Sequence, residues 1–293
     1  METQMLTDTE QSLSEARPNT IDFDRIASLH YLGNYVRRLP INLARMMENA
    51  YDWEHLPYVH ASSFSSIDLI DSGAWGWRAK IGLPDGAPAS HQLLDLLVEI
   101  DRHYWVSTVY SGPGTGIEIH TQATAIDEDE IEVDVRFYLP EAPENETGAE
   151  MILTYMQQQY ATLYDEDQDL MLGRQSALND RQRWGAGAPS SKDVLVGAIA
   201  DLDPDEVHTV ELETGRFCVR QYQGEWLVHS AVCTHLLGPL DASQINDKGE
   251  LTCPWHGYHF DLRTGENSER KCRALAKPPE LIERSGQLYL RPV

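Results

Sequence analysis

Hydrophobic and polar positions divide the chain into a few distinct stretches. Residues 1–22 are polar, contain Pro18 and show no period, which predicts a flexible N-terminal arm. Between 41 and 56, Leu43, Met46, Met47 and Ala50 recur at three- and four-residue spacing, the rhythm of a helix with one buried face. Asn42 is placed to cap that helix, and Pro57 to stop or bend it. Four alternating runs follow, at 74–83, 104–110, 116–125 and 131–139, separated by turn signals such as Ser111-Gly112-Pro113-Gly114. In the third run Ile117, Ile119 and Thr121 share one face, and Glu118, His120 and Gln122 the other. The pattern predicts an antiparallel sheet with one wet face.

A long helix is predicted from about 147 to 180. Its stripe of Leu153, Met156, Tyr160, Leu163, position 167 and Leu170 alternates steps of three and four. Position 167 is Asp167, an acid that is costly to bury unless a partner offsets the lost water. The first domain therefore runs over 23–183. Residues 184–192 read as a linker by composition. Residues 193–293, with short extended runs at 207–212, 216–222 and 225–228, predict a small β-rich domain. The chain shows no internal repeat or low-complexity tract.

With 293 residues, each of two domains is long enough to bury a core. No run of about 18 apolar residues predicts a membrane span, and residues 1–14 lack the pattern of a secretory signal. Forty-seven acids against 23 Lys and Arg give a net charge of −24, which repels nucleic acid and anionic membranes. The few cysteines fit a reducing compartment, with the cytoplasm as the expected location.

The densest chemistry lies near the C-terminus. Cys233-Thr234-His235 is followed, after 17 residues, by Cys253-Pro254-Trp255-His256. Each stretch offers one thiolate and one imidazole. A zinc site also accepts two Cys and two His, but it usually pairs Cys with Cys on one knuckle and His with His on a helix. The mixed pairing suits a two-iron cluster in which one iron keeps both thiolates and the other both imidazoles.

These loops resemble the Rieske [2Fe–2S] motif. Gly238-Pro239-Leu240 and the run Gly257-Tyr258-His259-Phe260-Asp261 before the Leu262-Arg263-Thr264-Gly265 turn also fit it. The resemblance implies that Cys233, His235, Cys253 and His256 hold the cluster. The extra cysteines of the respiratory branch are missing here (Trp255 takes one place), which points to the ferredoxin and oxygenase branch. Cys218 and Cys272 are then expected to be buried free thiols.

A second constellation is Asn49, Asp52, His55 and His60. The first three rise along one side of a helix. His55 and His60 would point about 140° apart on an ideal helix, so they converge only where the helix breaks, a break expected at Pro57. Two His beside a buried Asp167 would make the two-His, one-carboxylate face of non-haem Fe(II) oxygenases. The spacing resembles the N-x-x-D-x-x-H-x-x-x-x-H motif of the Rieske non-haem iron oxygenases, with every marked position filled. The resemblance implies that His55, His60 and Asp167 bind mononuclear Fe(II), with Asp165 and Asp169 as off-stripe competitors. It implies that Asp52 links an iron ligand, His55, to a cluster ligand, His256, and that Asn49 supports the site.

The same resemblance implies an α+β chain. A helix-grip (START/Bet v 1-like) antiparallel sheet with a long helix precedes an all-β Rieske domain, the reverse of the family's usual domain order. It implies a terminal oxygenase component, a mono- or dioxygenase, that hydroxylates or oxidatively demethylates a small aromatic or apolar substrate with O2. Electrons would come from NAD(P)H through a separate reductase or ferredoxin, and the expected assembly is a homotrimer. The alternative is a non-enzymatic Rieske electron carrier or redox sensor fused to a ligand-binding helix-grip domain.

Overall fold

The structure is a computed structural model that describes residues 6–184 and 192–292. The linker expected at 184–192 lies largely outside the described residues. The chain divides into two compact units, Met1–Leu172 and Gly173–Val293.

The first unit is built on a seven-stranded antiparallel sheet. Its strands are β1 (His30–Leu39), β2 (Ser66–Gly73), β3 (Gly76–Gly82), β4 (His91–Glu99), β5 (Tyr104–Ser111), β6 (Glu118–Ala125) and β7 (Ile131–Leu139). Their order across the sheet is β1-β7-β6-β5-β4-β3-β2. Four of these strands were legible as alternating runs, whereas β1, β2 and β4 were not predicted. In β7 the alternation is complete: Ile131, Val133, Val135, Phe137 and Leu139 are all buried. Ahead of the sheet lies helix α1 (Asp8–Glu15). Helices α2 (Leu43–Tyr51) and α3 (Leu56–Val59) fall between β1 and β2, and α4 (Glu146–Trp184) follows β7.

Helix α4 packs its first turns on the same face of the sheet as the buried β7 residues. Tyr160 meets Phe137 edge to face, with ring centroids 5.4 Å apart. Gly33 sits in a bulge of β1 at φ +153°, and a Cβ there would come within 2.8 Å of Leu153. Glycine lets the helix approach the edge strand at this point.

The opposite face is not wet as the alternation predicted. Arg78, Lys80, Asp95, Thr108, Glu118 and His120 are buried there. Part of the cover comes from residues 7–28, which were expected to begin as a flexible arm. Thr7 and Glu10 form a capping box that starts α1. The segment is then tied down by ion pairs to the sheet. Glu10 reaches His91 at 2.7 Å and Lys80 at 3.7 Å, and Arg17 forks onto Asp95 at 2.7 and 3.1 Å. Further along, Arg25 pairs with Glu118. Beneath it, His120 shares hydrogen bonds with Tyr104 (2.8 Å) and Glu118 (3.1 Å), so it is a satisfied core histidine. Polar residues on an alternating face require partners, and here another segment of the chain supplies many of them.

The second unit is rich in short strands: β8 (Val194–Ala198), β9 (His208–Leu212), β10 (Gly215–Tyr222), β11 (Glu225–Ser230), β12 (Glu250–Thr252), β13 (His259–Asp261), β14 (Glu280–Arg284) and β15 (Gln287–Arg291). They form sheets of order β11-β10-β9, β12-β13 and β14-β15-β8. Leu212, Phe217, Val219, Leu288 and Leu290 make its core. No helix among the described residues is long and apolar enough to cross a membrane.

Asp95 is fully buried and faces both Arg17 and Arg78, the latter at 3.6 Å. Asp95→Ala strands these two cations, and the expected loss of stability is about 3 kcal/mol. Urea unfolding measures it; a loss below about 1 kcal/mol would mean that this pair does not hold the N-terminal segment.

Candidate metal centres

Two loops of the second unit carry the cysteine–histidine pairs, and their backbones close in the same way. The Cys233 N–H donates to the Gly238 carbonyl and the Cys253 N–H to the Tyr258 carbonyl, each at 2.8 Å and each five residues on. Four residues after each Cys the backbone turns left-handed, at Leu237 (φ +64°) and Gly257 (φ +65°). Each loop therefore bends back and presents its Cys and His together.

The side chains converge as a cluster of this kind requires. Cys233, Cys253 and His256 are buried, and the His235 and His256 rings lie 4.5 Å apart, edge to face. The two thiols stand close enough to compete for one proton, which pushes Cys233 up and draws Cys253 down. Sulfur beside sulfur and imidazole beside imidazole is the division a two-iron centre with unlike irons needs. Gly238 makes room for it, since a Cβ there would stand 2.9 Å from the Cys253 sulfur. The residues fit the [2Fe–2S] group.

The leftover cysteines are free thiols. Cys218 is buried, and burial pushes its thiol up to about 11. Cys272 departs from the expectation of burial: it is half-buried, with the Thr234 hydroxyl 3.7 Å from its sulfur. His259, beside the second loop, is engaged by Glu269 at 2.6 Å.

The second centre lies in the first unit. Asn42 caps α2 as expected, accepting from the Arg45 N–H. The helix does not continue to Pro57, however. It ends at Asp52 (φ −86°, ψ 81°), a single turn of 3-10 helix covers Trp53–His55, and Pro57 lies in the first turn of α3. Proline suits that position because its missing N–H would have no helical partner there. The break at Asp52, rather than at Pro57, turns His55 and His60 toward each other.

Their Nε2 atoms stand 3.3 Å apart. Asp167 Oδ1 lies 3.4 Å from His55 Nε2 and 3.1 Å from His60 Nε2. All three residues are buried. Neighbouring ligands bonded at about 2.1 Å to one six-coordinate ion lie about 3 Å apart, so this set fits a single divalent metal. The competitors are elsewhere: the Asp165 side chain is 70% exposed and pairs with Arg37, and Asp169 is exposed.

Electrostatics tie the three groups together. Burial works against a charged His55, yet the neighbouring carboxylates of Asp167 and Asp52 outweigh it and hold the imidazole up to about 10. Burial likewise opposes the Asp167 anion, but His55 and His60 keep its carboxyl below the ordinary range. A cation taken up here displaces the proton on His55.

Carboxylates also stand behind the histidines. Asp52 Oδ2 lies 3.6 Å from His55 Nδ1, just beyond hydrogen-bond reach. Glu166, to which sequence reasoning gave no role, contacts His60 Nδ1 at 2.7 Å. Its signal was adjacency: on α4 the residue before Asp167 points to the far side of the same imidazole. Asn49 is buried, and its Oδ1 has no hydrogen-bond partner.

Beside the three ligands is a cavity of about 130 Å³. The concave sheet face supplies Trp77, Ile81, Leu94, Leu96, Trp105 and Ile119, while α4 supplies Tyr160, Leu163 and Tyr164. Burial holds both tyrosine hydroxyls above their ordinary range, so they are neutral donors. None of this wall except the α4 stripe was legible as a pocket in the sequence.

Residues 192–279 match the family model of the Rieske [2Fe-2S] domain. The p-cumate 2,3-dioxygenase system ferredoxin component of Pseudomonas putida is 28% identical over 102 residues, covering 33% of this chain and 84% of that protein. Apoptosis-inducing factor 3 of Homo sapiens is 31% identical over 81 residues, or 27% of this chain, and the match spans only 13% of that protein's length. Among solved structures, norcoclaurine synthase from Thalictrum flavum, in complex with dopamine and hydroxybenzaldehyde, aligns at a TM-score of 0.39 with 13% identity, covering 59% of this chain and 97% of that one. Residues 192–279 of this chain are a Rieske [2Fe-2S] domain, and the seven-stranded antiparallel sheet with the long helix after it has the helix-grip arrangement.

Proposed function

We propose that the chain is the terminal oxygenase component of a Rieske system, acting on a small, largely apolar organic molecule by hydroxylation or oxidative demethylation. The observation that carries this reading is the meeting of His55, His60 and Asp167 at 3.1 to 3.4 Å in a buried cavity wall, in a chain that also holds a Rieske domain. When bound, ferrous iron at these ligands would supply O2 activation, and the [2Fe–2S] group would supply electrons singly. The electrons would originate in NAD(P)H and arrive through a separate reductase or ferredoxin, with a homotrimer as the working assembly.

The chain's own residues have defined tasks in this reading. Asp167 brings the one negative charge into the ligand set. Glu166 holds the Nδ1 proton of His60 and so turns its Nε2 lone pair inward. Asp52 is placed to do the same for His55 over its slightly longer 3.6 Å gap. Trp77, Trp105 and the aliphatic wall exclude water and accept an apolar ring.

A second reading, an electron carrier or redox sensor with a ligand-binding domain attached, is favoured by the similarity to a ferredoxin component. Iron analysis of purified, reconstituted protein separates the two: three irons per chain for the oxygenase and two for the carrier.

Asp167→Ala should lose the mononuclear iron and all product while keeping the visible Rieske absorbance. Retained turnover would remove Asp167 from the ligand set. Glu166→Gln, which cannot carry the charge behind His60, should weaken mononuclear iron binding by about 10-fold or more, read by titration against a chelator. An unchanged affinity would leave Glu166 as a surface acid only.

A further inference from the structure

The cavity beside His55, His60 and Asp167 carries more polarity than a plain hydrocarbon needs. Two hydroxyls face it without a hydrogen-bond partner among the described residues, Tyr160 on α4 and Ser107 on β5. Tyr164, one turn further along α4, differs in having Thr121 beside its hydroxyl. Asn49 on α2, which also lines the cavity, is only 9% exposed, and its Oδ1 accepts from nothing. Tyr160 and Ser107 are half-buried, whereas the Asn49 Oδ1 is fully buried, and a buried polar atom left in this state destabilises a fold unless a ligand meets it. Donors and an acceptor await together. A carbonyl, ether or nitro group could satisfy only the donors, whereas a hydroxyl both donates and accepts.

Size narrows the choice further. An apolar cavity of about 150 Å³ takes one benzene ring. At about 130 Å³ this one is close to the size of a single six-membered ring. Trp77 and Trp105 supply faces on which such a ring packs.

We propose that the cavity selects a single-ring phenol, and that Tyr160 is the residue that distinguishes its hydroxyl from a methyl group. This rests on the reading of the cavity as the substrate site of the mononuclear centre. Tyr160 acts by positioning: with the hydroxyl held, the ring takes one orientation toward the three metal ligands rather than several. Asn49 then accepts the phenol's own proton, and Ser107 offers a second donor on the sheet side.

Calorimetric titration of the iron-replete full chain tests this with three probes: phenol, toluene and 1-naphthol. Phenol should bind about tenfold more tightly than toluene, the worth of one well-made buried hydrogen bond, and more tightly than 1-naphthol. Tyr160→Phe should cost phenol about tenfold and leave toluene unchanged, which a general loss of packing would not do. Ser107→Ala, a smaller change on a strand, should lower phenol affinity alone and by less. Equal affinities for phenol and toluene, a phenol affinity indifferent to Tyr160→Phe, parallel losses for both probes, or 1-naphthol binding as tight as that of phenol would each overturn the proposal. Iron is counted on the same preparation. A full count without phenol binding sinks this inference alone, whereas a missing mononuclear iron removes the oxygenase reading beneath it.

Discussion

The first unit depends on one electrostatic constraint, a buried carboxylate on an apolar helix face. Asp167 sits among Met156, Tyr164, Leu170 and Met171 on the buried stripe of α4, where an isolated charge would be prohibitive. Two imidazoles offset it, and both must reach the same oxygen. That requirement explains the unusual backbone between α2 and α3. A continuous helix would send His55 and His60 in different directions, so the chain breaks at Asp52 and restarts at Leu56. The price of that break is an interrupted helix, and the product is a ligand set closed to within about one metal coordination shell.

The opposite face of the sheet follows the same rule with different partners. Charged residues alternate outward on β3, β4 and β6, yet they are buried under residues 7–28. The contacts include ion pairs between residues far apart in sequence, such as Arg17 with Asp95 and Arg25 with Glu118. A strongly acidic chain has acids to spare, so its scarce cations become valuable: Arg17, Arg25, Arg78 and Lys80 all sit against carboxylates. The sheet is thereby polar on its outer side and apolar on its inner side, although both are covered. This leaves the concave face as the natural place for a small-molecule cavity.

The Rieske unit solves a different problem with repetition. Two loops, each closed by a Cys N–H bond to a carbonyl five residues later, deliver one sulfur and one imidazole apiece. Because the His follows its Cys by two residues in one loop and three in the other, the two loops are similar but not identical. Gly238 permits the close approach of the second loop's sulfur. The geometry is local to short segments, which is why it could be read from the sequence so fully.

What the sequence determined alone was everything carried by short-range spacing. The Cys and His pairs, the Asn42 cap, the alternation in β7 and the inward place of Asp167 on α4 all rest on a few neighbouring residues. Tertiary structure decided what depends on segments that meet from a distance. Pro57 looked like the helix breaker because proline breaks helices locally, but the convergence of His55 and His60 on Asp167 moved the break to Asp52. Residues 1–22 looked like a loose arm because the partners of Glu10 and Arg17, Lys80 and Asp95, lie some 70 to 78 positions away. Glu166 behind His60 and the unpaired hydroxyl of Tyr160 were equally invisible. Periodicity tells which way a side chain faces, and only the packed fold tells what stands there to meet it.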